Sequence, residues 1–406
     1  MGYDRALLAL YLEESDRVAH IEFLQHTDFI AKISGLDPFE KPREAQALAF
    51  SKLDLDMIFF TYTPLEDFIQ KKYKSIETRE DSWSRAYPTQ WRKILEVKSL
   101  EEILDFDPFE AWDIPSIEDL AENLERTHRE YQSIYWGQLV PGGTYHTCLM
   151  WLIKMFGLEW TIKAAYLSPN SFEKLLGRFG ELSLLEAKAW SQTNIKAFIS
   201  HDDICSTRGP FFPIRWMRRY LFPWYNRIWR ELKSKGIIVL FCTDGDITPI
   251  IDDIAEAGAD GFIIEECSNL NLIAEKYGNE KVIIGGVDIG KLTYGTTNDV
   301  VNEVKRCLET AGSYPGYFIN VSGSIPDNVP LVNLETYFRA VKNMGGEVSC
   351  PKMILKSLKK GACSQVFELS YHVMNFILIF TFSYQEKLGV GHLMRKVFIS
   401  NGLTLT

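Results

Sequence analysis

Between residues 196 and 345 the chain alternates short apolar runs with segments of helical period, and this rhythm restricts its folds more than any other feature. "KAFISHDD" reads as a strand ending in acids, "GIIVLF", "DGFII" and "KVIIGGVD" follow as strands, and "GYFINVSGS" closes the series. Between them, Ile247, Ile250, Ile251 and Ile254 recur at i, i+3, i+4, i+7, with Pro249 in the first turn and Gly258 at the end. The segment 214–232 has the same period, and Pro223 is expected to kink or split it. Val300, Val301, Val304 and Leu308 form a further stripe, and the helix after the last strand stops at Gly345 and Gly346. Strands that alternate with helices must lie parallel, because each parallel return needs a crossover. The strands lack polar alternation, as expected where both faces are covered.

Two earlier segments, 53–62 and 132–139, read as further strands, and the sum suits a (β/α)8 TIM-type barrel. No G-x-G-x-x-G follows a first strand, so a dinucleotide-binding doubly wound sheet is the weaker reading. Residues 64–130, rich in acids and aromatics, are expected to form a capping excursion over the barrel mouth. The barrel domain is set at 1–345, and 346–406 is left as an atypical, unassigned C-terminal tail, expected to be loosely attached.

The chain of 406 residues carries a net charge of −10, which argues against a nucleic-acid partner. Seven widely spaced cysteines without a C-x-x-C point to a reducing compartment rather than a disulfide framework. The longest apolar run, 373–384, falls short of the roughly 20 residues of a membrane span. Gly2 lacks the Ser or Thr that a myristoylation signal needs, since Ala6 stands there. The expectation is a cytoplasmic protein with no membrane or nucleic-acid partner.

In a (β/α)8 barrel the chemistry gathers at the C-terminal ends of the strands. Polar residues crowd just there: His201, Asp202 and Asp203; Cys242, Asp244 and Asp246; Glu265 and Glu266; Asp288; Asn320, Ser322 and Ser324. Crowded carboxylates repel, so some become usable proton donors, and together they suit a cationic ligand. Asp244, Asp202 and Asp288 are the catalytic candidates. Cys242, Asp203, Glu265 and Ser322, with Tyr145 and His146 from the first half, are the candidates for substrate binding. Asp246 also suits a helix cap, Asp203 and Glu266 an outward loop, and Cys242 a buried filler. No metal is assigned: Cys242 and Asp244 could share a site, but the last strand offers only Ser322, Gly323 and Ser324.

The stretches "MGYDRALLALYLEESDRVAH", "KAFISHDDI", "VLFCTDGDITPIIDDIAEAGADGF", "GGVDIGKL", "TNDVVNEVKRCLE" and "GYFINVSGSIPDNVPLVNLETYFRAV" together resemble the uroporphyrinogen decarboxylase superfamily, over roughly 1–345. The resemblance implies a (β/α)8 barrel and one of two activities. One branch decarboxylates uroporphyrinogen without a cofactor, as a lyase of porphyrin biosynthesis. The other passes methyl groups between a corrinoid protein and an acceptor, often with zinc held by histidine and cysteines.

The chain departs from both patterns. The decarboxylases' "RQAGRY"-like arginines are absent, leaving Arg5 and Arg17 in the early chain. Cys242 stands where a histidine opens the methyltransferases' motif, Asp244 at the second ligand, and Gly323 where a last-strand Cys or His would stand. Asp202 and Asp203 match the family's "DD", and Asp288 its "G-G-x-D". The expectation is therefore corrinoid-linked methyl transfer on a small methylated substrate. A corrinoid (cobalamin) serves as co-substrate, a corrinoid protein as partner, and there is neither a tightly bound cofactor nor zinc. Uroporphyrinogen decarboxylation and a non-catalytic ligand-binding barrel are the alternatives.

Overall fold

The computed structural model describes residues 2–63, 65, 77–81, 84–87, 89–93 and 97–346. Eight parallel staves form the barrel: β1 (Ala19–Leu24), β2 (Met57–Ile58), β3 (Gly142–Thr144), β4 (Ala197–His201), β5 (Ile238–Cys242), β6 (Gly261–Ile264), β7 (Val282–Gly285) and β8 (Tyr317–Ile319). From β3 to β8 each stave pairs with the next in parallel register, for example Phe198 opposite Val239 and Ile263 opposite Ile284. The ring closes where β8 pairs β1, β1 pairs β2, and Met57 bridges Leu139 just ahead of β3. The four strands expected as parallel neighbours in chain order are so arranged.

The first half differs from the reading of the sequence. β1 was not anticipated, because His20 and Glu22 break its apolar look although both are buried. Residues 132–139 are not a strand. The helix Ile117–Ile134 takes their first three residues, since Leu120, Ala121, Leu124 and His128 keep a buried stripe in helical phase. That helix is the crossover into β3 rather than part of a cap. Of the expected excursion, Ser84–Tyr87 is fastened at the rim: Ser84 Oγ donates to Gln25 O, and Arg85 pairs with Asp28 and Asp327. The tail beyond 346, with the 373–384 run, lies outside the described residues.

The barrel interior is a closed apolar column of Ala19, Ile21, Met57, Leu139, Ala197, Ile199, Leu240, Ile263, Val282, Ile284 and Phe318. The helix Gly2–Leu10 seals its lower end with Ala6, Ala9 and Leu10. Each of the larger buried side chains among them, such as Ile199 or Leu240, stabilises the fold by roughly 1.5–3 kcal/mol. A second core lies between the staves and the helices, and includes Trp190, Tyr225, Trp229 and Phe241. Pro223 does split its segment: Ile214–Tyr220 and Phe222–Lys233 are separate helices, with the proline in the first turn of the second. Among the described residues no helix is long and apolar enough to cross a membrane.

Candidate active site

Strand alternation decides which polar residues enter the mouth. Ile199 faces the interior, so His201 and Asp203 follow on that side, while Ser200 and Asp202 point to the helices. Leu240 and Cys242 lead in the same way to Asp244, and Ile263 leads to Glu265. Cys242 is only 6 % exposed, and its thiol lies among Asp244, Asp203 and Glu265.

The side chains of His201, Asp203 and Asp244 converge until one ligand atom from each lies within 4.8 Å of the others. His201 Nε2 is 3.4 Å from Asp203 Oδ1, and its Nδ1 is 3.2 Å from the Tyr145 carbonyl oxygen. The Tyr145 ring stacks on the imidazole at 4.1 Å. Asp203 Oδ1 accepts the Asp244 amide at 3.0 Å, which ties the ends of β4 and β5 together. Gly245 makes the turn that aims Asp244: its φ is +87°, and a Cβ there would meet Ser206 O at 2.5 Å. Its amide donates to Glu265 Oε2 at 2.7 Å, joining β6 to the same knot.

Electrostatics follow from that crowding. Asp244 is reached by solvent through the mouth but has protein on its other sides. Loss of water and then the Asp203 charge raise its pKa to about 6, against a smaller lowering by His201. Burial, then Asp244, raise Glu265 to about 7, with the Gly245 amide pulling the other way. Burial and the surrounding carboxylates push the Cys242 thiol well up, and do the same to the Tyr145 phenol. Among the described residues no lysine or arginine forms an ion pair with Asp203, Asp244 or Glu265. Arg5 and Arg17 sit at the opposite end of the barrel, bound to Asp16, Asp54 and Asp56 just ahead of β1 and β2.

Several expected residues stand elsewhere. Asp202 is fully buried outside the barrel wall, where it accepts from Leu149 N, Met150 N and Tyr225 Oη and so caps the helix Cys148–Phe156. Burial pushes its carboxyl well above the usual range while those donors pull against it. It does not line a cavity with Asp244. Asp288 caps the short helix Ile289–Tyr294 through Gly290 N, and Asp246 serves Thr248 N in the same manner. His146, one step out of phase with Tyr145, is buried against Trp151 behind the mouth, and burial lowers its pKa well below the usual value. Ser322 Oγ accepts the Glu266 amide, holding the end of β6 against the last stave. The sequence reading noted His201 at its strand end but gave it no role. The signal was available: it shares the phase of Ile199 and Asp203, and Asp202 does not.

The methyltransferases' sulfur-rich zinc set does not fit here. Cys242 and Asp244 face the mouth, but Gly323 supplies no donor, and a Cβ there would lie 3.9 Å from Glu265 Oε1.

Residues 146–344 match the family model described as uroporphyrinogen decarboxylase. A uroporphyrinogen decarboxylase from Syntrophotalea carbinolica is 25% identical over 168 residues, 41% of this chain and 47% of the relative. One from Carboxydothermus hydrogenoformans is 22% identical over 177 residues, 44% of this chain and 49% of the relative. The chain thus matches about half the length of these curated relatives. A methyltransferase from Methanosarcina mazei is similar in fold, with a TM-score of 0.60 and 18% identity, covering 84% of this chain and 98% of that one.

Proposed function

The chain belongs to the uroporphyrinogen decarboxylase superfamily, and from that premise we propose that its mouth takes a small methylated substrate and exchanges a methyl group with a corrinoid. The observation that carries this reading is the charge of the mouth. Asp203, Asp244 and Glu265 converge there with no arginine or lysine paired to them among the described residues. Such a surface suits an electropositive or protonated group and opposes a polycarboxylate.

The corrinoid supplies the cobalt to or from which the methyl group moves. The chain's own residues do the rest. Tyr145 and His201 offer a stacked aromatic wall, Asp203 and Asp244 hold the electropositive end of the substrate, and Glu265 carries a proton to or from the heteroatom that loses or gains the methyl group. The apolar column below Cys242, with Ile199, Leu240 and Ile263, keeps water from the floor of the site.

The second reading, decarboxylation of uroporphyrinogen, draws on the names of the curated relatives. It asks an acidic mouth to hold several carboxylates while Arg5 and Arg17 are engaged at the far end of the barrel. The test is anaerobic incubation with methylcobalamin and a panel of thiol and amine acceptors, followed by loss of the methylcobalamin spectrum. One acceptor should support consumption, slowed on the order of a hundredfold in Glu265→Gln. A silent panel, beside efficient decarboxylation of uroporphyrinogen, would replace this reading with the second.

A further inference from the structure

The geometry points to a divalent-cation site built from His201 Nε2, Asp203 and Asp244, a nitrogen–oxygen set on β4 and β5 that takes a first-row transition ion such as Mn2+ or Zn2+. It shares Asp244 with the Cys242–Asp244–Gly323 positions of the zinc set that the resemblance implies, but replaces the other two with His201 and Asp203. A bound cation would take the place that the methyl-transfer reading gives to the electropositive end of the substrate, so metal binding is measured apart from turnover.

The Tyr145 carbonyl can only accept, so His201 Nδ1 donates to it and Nε2 is turned toward the carboxylates. Nε2 lies 3.4 Å from Asp203 Oδ1, and Asp244 brings a further oxygen within 4.8 Å of both. A metal ion in place of a proton on Nε2 meets all three atoms at once, and among the described residues no lysine or arginine pairs with either carboxylate. Around an ion with bonds of ~2.1 Å, tetrahedral ligand atoms are ~3.4 Å apart and opposite octahedral ones ~4.2 Å apart. The His201–Asp203 separation already has the first value, and the Asp244 oxygen, within 4.8 Å of the others, closes on a tetrahedral set by a side-chain shift of at most ~1.4 Å.

The supporting contacts are those of a metal-binding histidine. Its second nitrogen donates to a main-chain carbonyl, which fixes the tautomer and the ring orientation, and Tyr145 stacks along the ring to hold its plane. Two carboxylates with a neutral imidazole balance a 2+ charge. Imidazole with carboxylate favours a first-row transition ion over calcium, whose ligands are oxygens alone. Three protein ligands leave coordination positions open toward the mouth.

The test uses the full chain, stripped of metal with chelator and dialysed. Mn2+ is titrated by loss of the free-ion electron paramagnetic resonance signal, and Zn2+ by calorimetry. One saturable equivalent is expected, weakened at least tenfold in Asp203→Asn and in His201→Ala. Asp246→Asn, whose carboxylate caps Thr248, should bind as the wild type does. Asp203→Asn is nearly isosteric, and its melting curve with chelator present reports whether it stays folded. Absence of saturable binding to the wild type overturns the proposal. So does undiminished binding by folded Asp203→Asn, or loss of binding in Cys242→Ser while Asp203→Asn retains it.

Discussion

Asp202 and Asp203 are adjacent acids with opposite fates, and replacing each tests the alternation argument directly. Asp202 is fully buried, with Oδ1 accepting Met150 N at 2.5 Å and Oδ2 accepting Leu149 N at 3.2 Å and Tyr225 Oη at 2.7 Å. In Asp202→Ala, Leu149 N and Tyr225 Oη stay buried without an acceptor, whereas Met150 N keeps the Thr147 carbonyl at 2.9 Å. Each orphaned donor costs ~1–3 kcal/mol, and the lost cap of Cys148–Phe156 overlaps with one of them, so the sum is roughly 2–4 kcal/mol. Asp203 lies at the open mouth, and its main structural bond is to one amide. Asp203→Asn retains that acceptor and should stay within ~0.5 kcal/mol of the wild type. Urea unfolding followed by far-ultraviolet circular dichroism measures both, provided the slopes match. If Asp202→Ala unfolds at the wild-type midpoint, or Asp203→Asn falls as far as Asp202→Ala, the assignment of the two faces is wrong.

Gly285 has a φ of +126°, and a Cβ there would sit 2.1 Å from Ile264 O, so Gly285→Ala should lower stability by more than ~2 kcal/mol in the same experiment. A smaller loss would show that β6 and β7 do not approach so closely. Glu22 is buried with His20, Tyr337 and Asn320 outside β1, and burial pushes its carboxyl well above the ordinary range. The folded protein therefore keeps a proton that the unfolded chain releases above about pH 4.3, and stability contributed by this group falls as pH rises through that window. Glu22→Gln removes the dependence, so its stability relative to wild type should be greater at pH 8 than at pH 4.5; an unchanged difference speaks against a protonated Glu22. Tyr225→Phe removes one of the Asp202 bonds and should cost ~1 kcal/mol with no change at the mouth. A tenfold loss of Mn2+ affinity in that variant would contradict the separation of the two faces.

The second half of the barrel was legible because its staves are uninterrupted apolar runs, such as Ile237–Phe241 and Phe262–Ile264, each followed by a helix of clear period. The first half was less so. Ala19–Leu24 buries a glutamate and a histidine that satisfy each other, and no composition rule separates them from surface charge. Met57–Ile58 lies within the strand read at 53–62, although only these two residues pair with β1. At the site, the sequence located the strand ends but not the phase of their side chains. Asp244, Glu265 and Cys242 face the mouth, whereas Asp202 and His146 face away from it, because an alternation of two flips with a single residue. Asp288 resembled a mouth acid because capping and catalysis ask for the same residue type just past a strand.

The most direct test of the proposed chemistry follows the methyl carbon itself. The protein is given methylcobalamin labelled with carbon-13 on the methyl group, together with the acceptor panel, and nuclear magnetic resonance records where the label goes in one turnover. The account predicts that the label leaves cobalt and appears on an acceptor heteroatom with the wild type, and stays largely on cobalt with Glu265→Gln. Label that remains on cobalt with every acceptor, while the same preparation decarboxylates uroporphyrinogen, would contradict it.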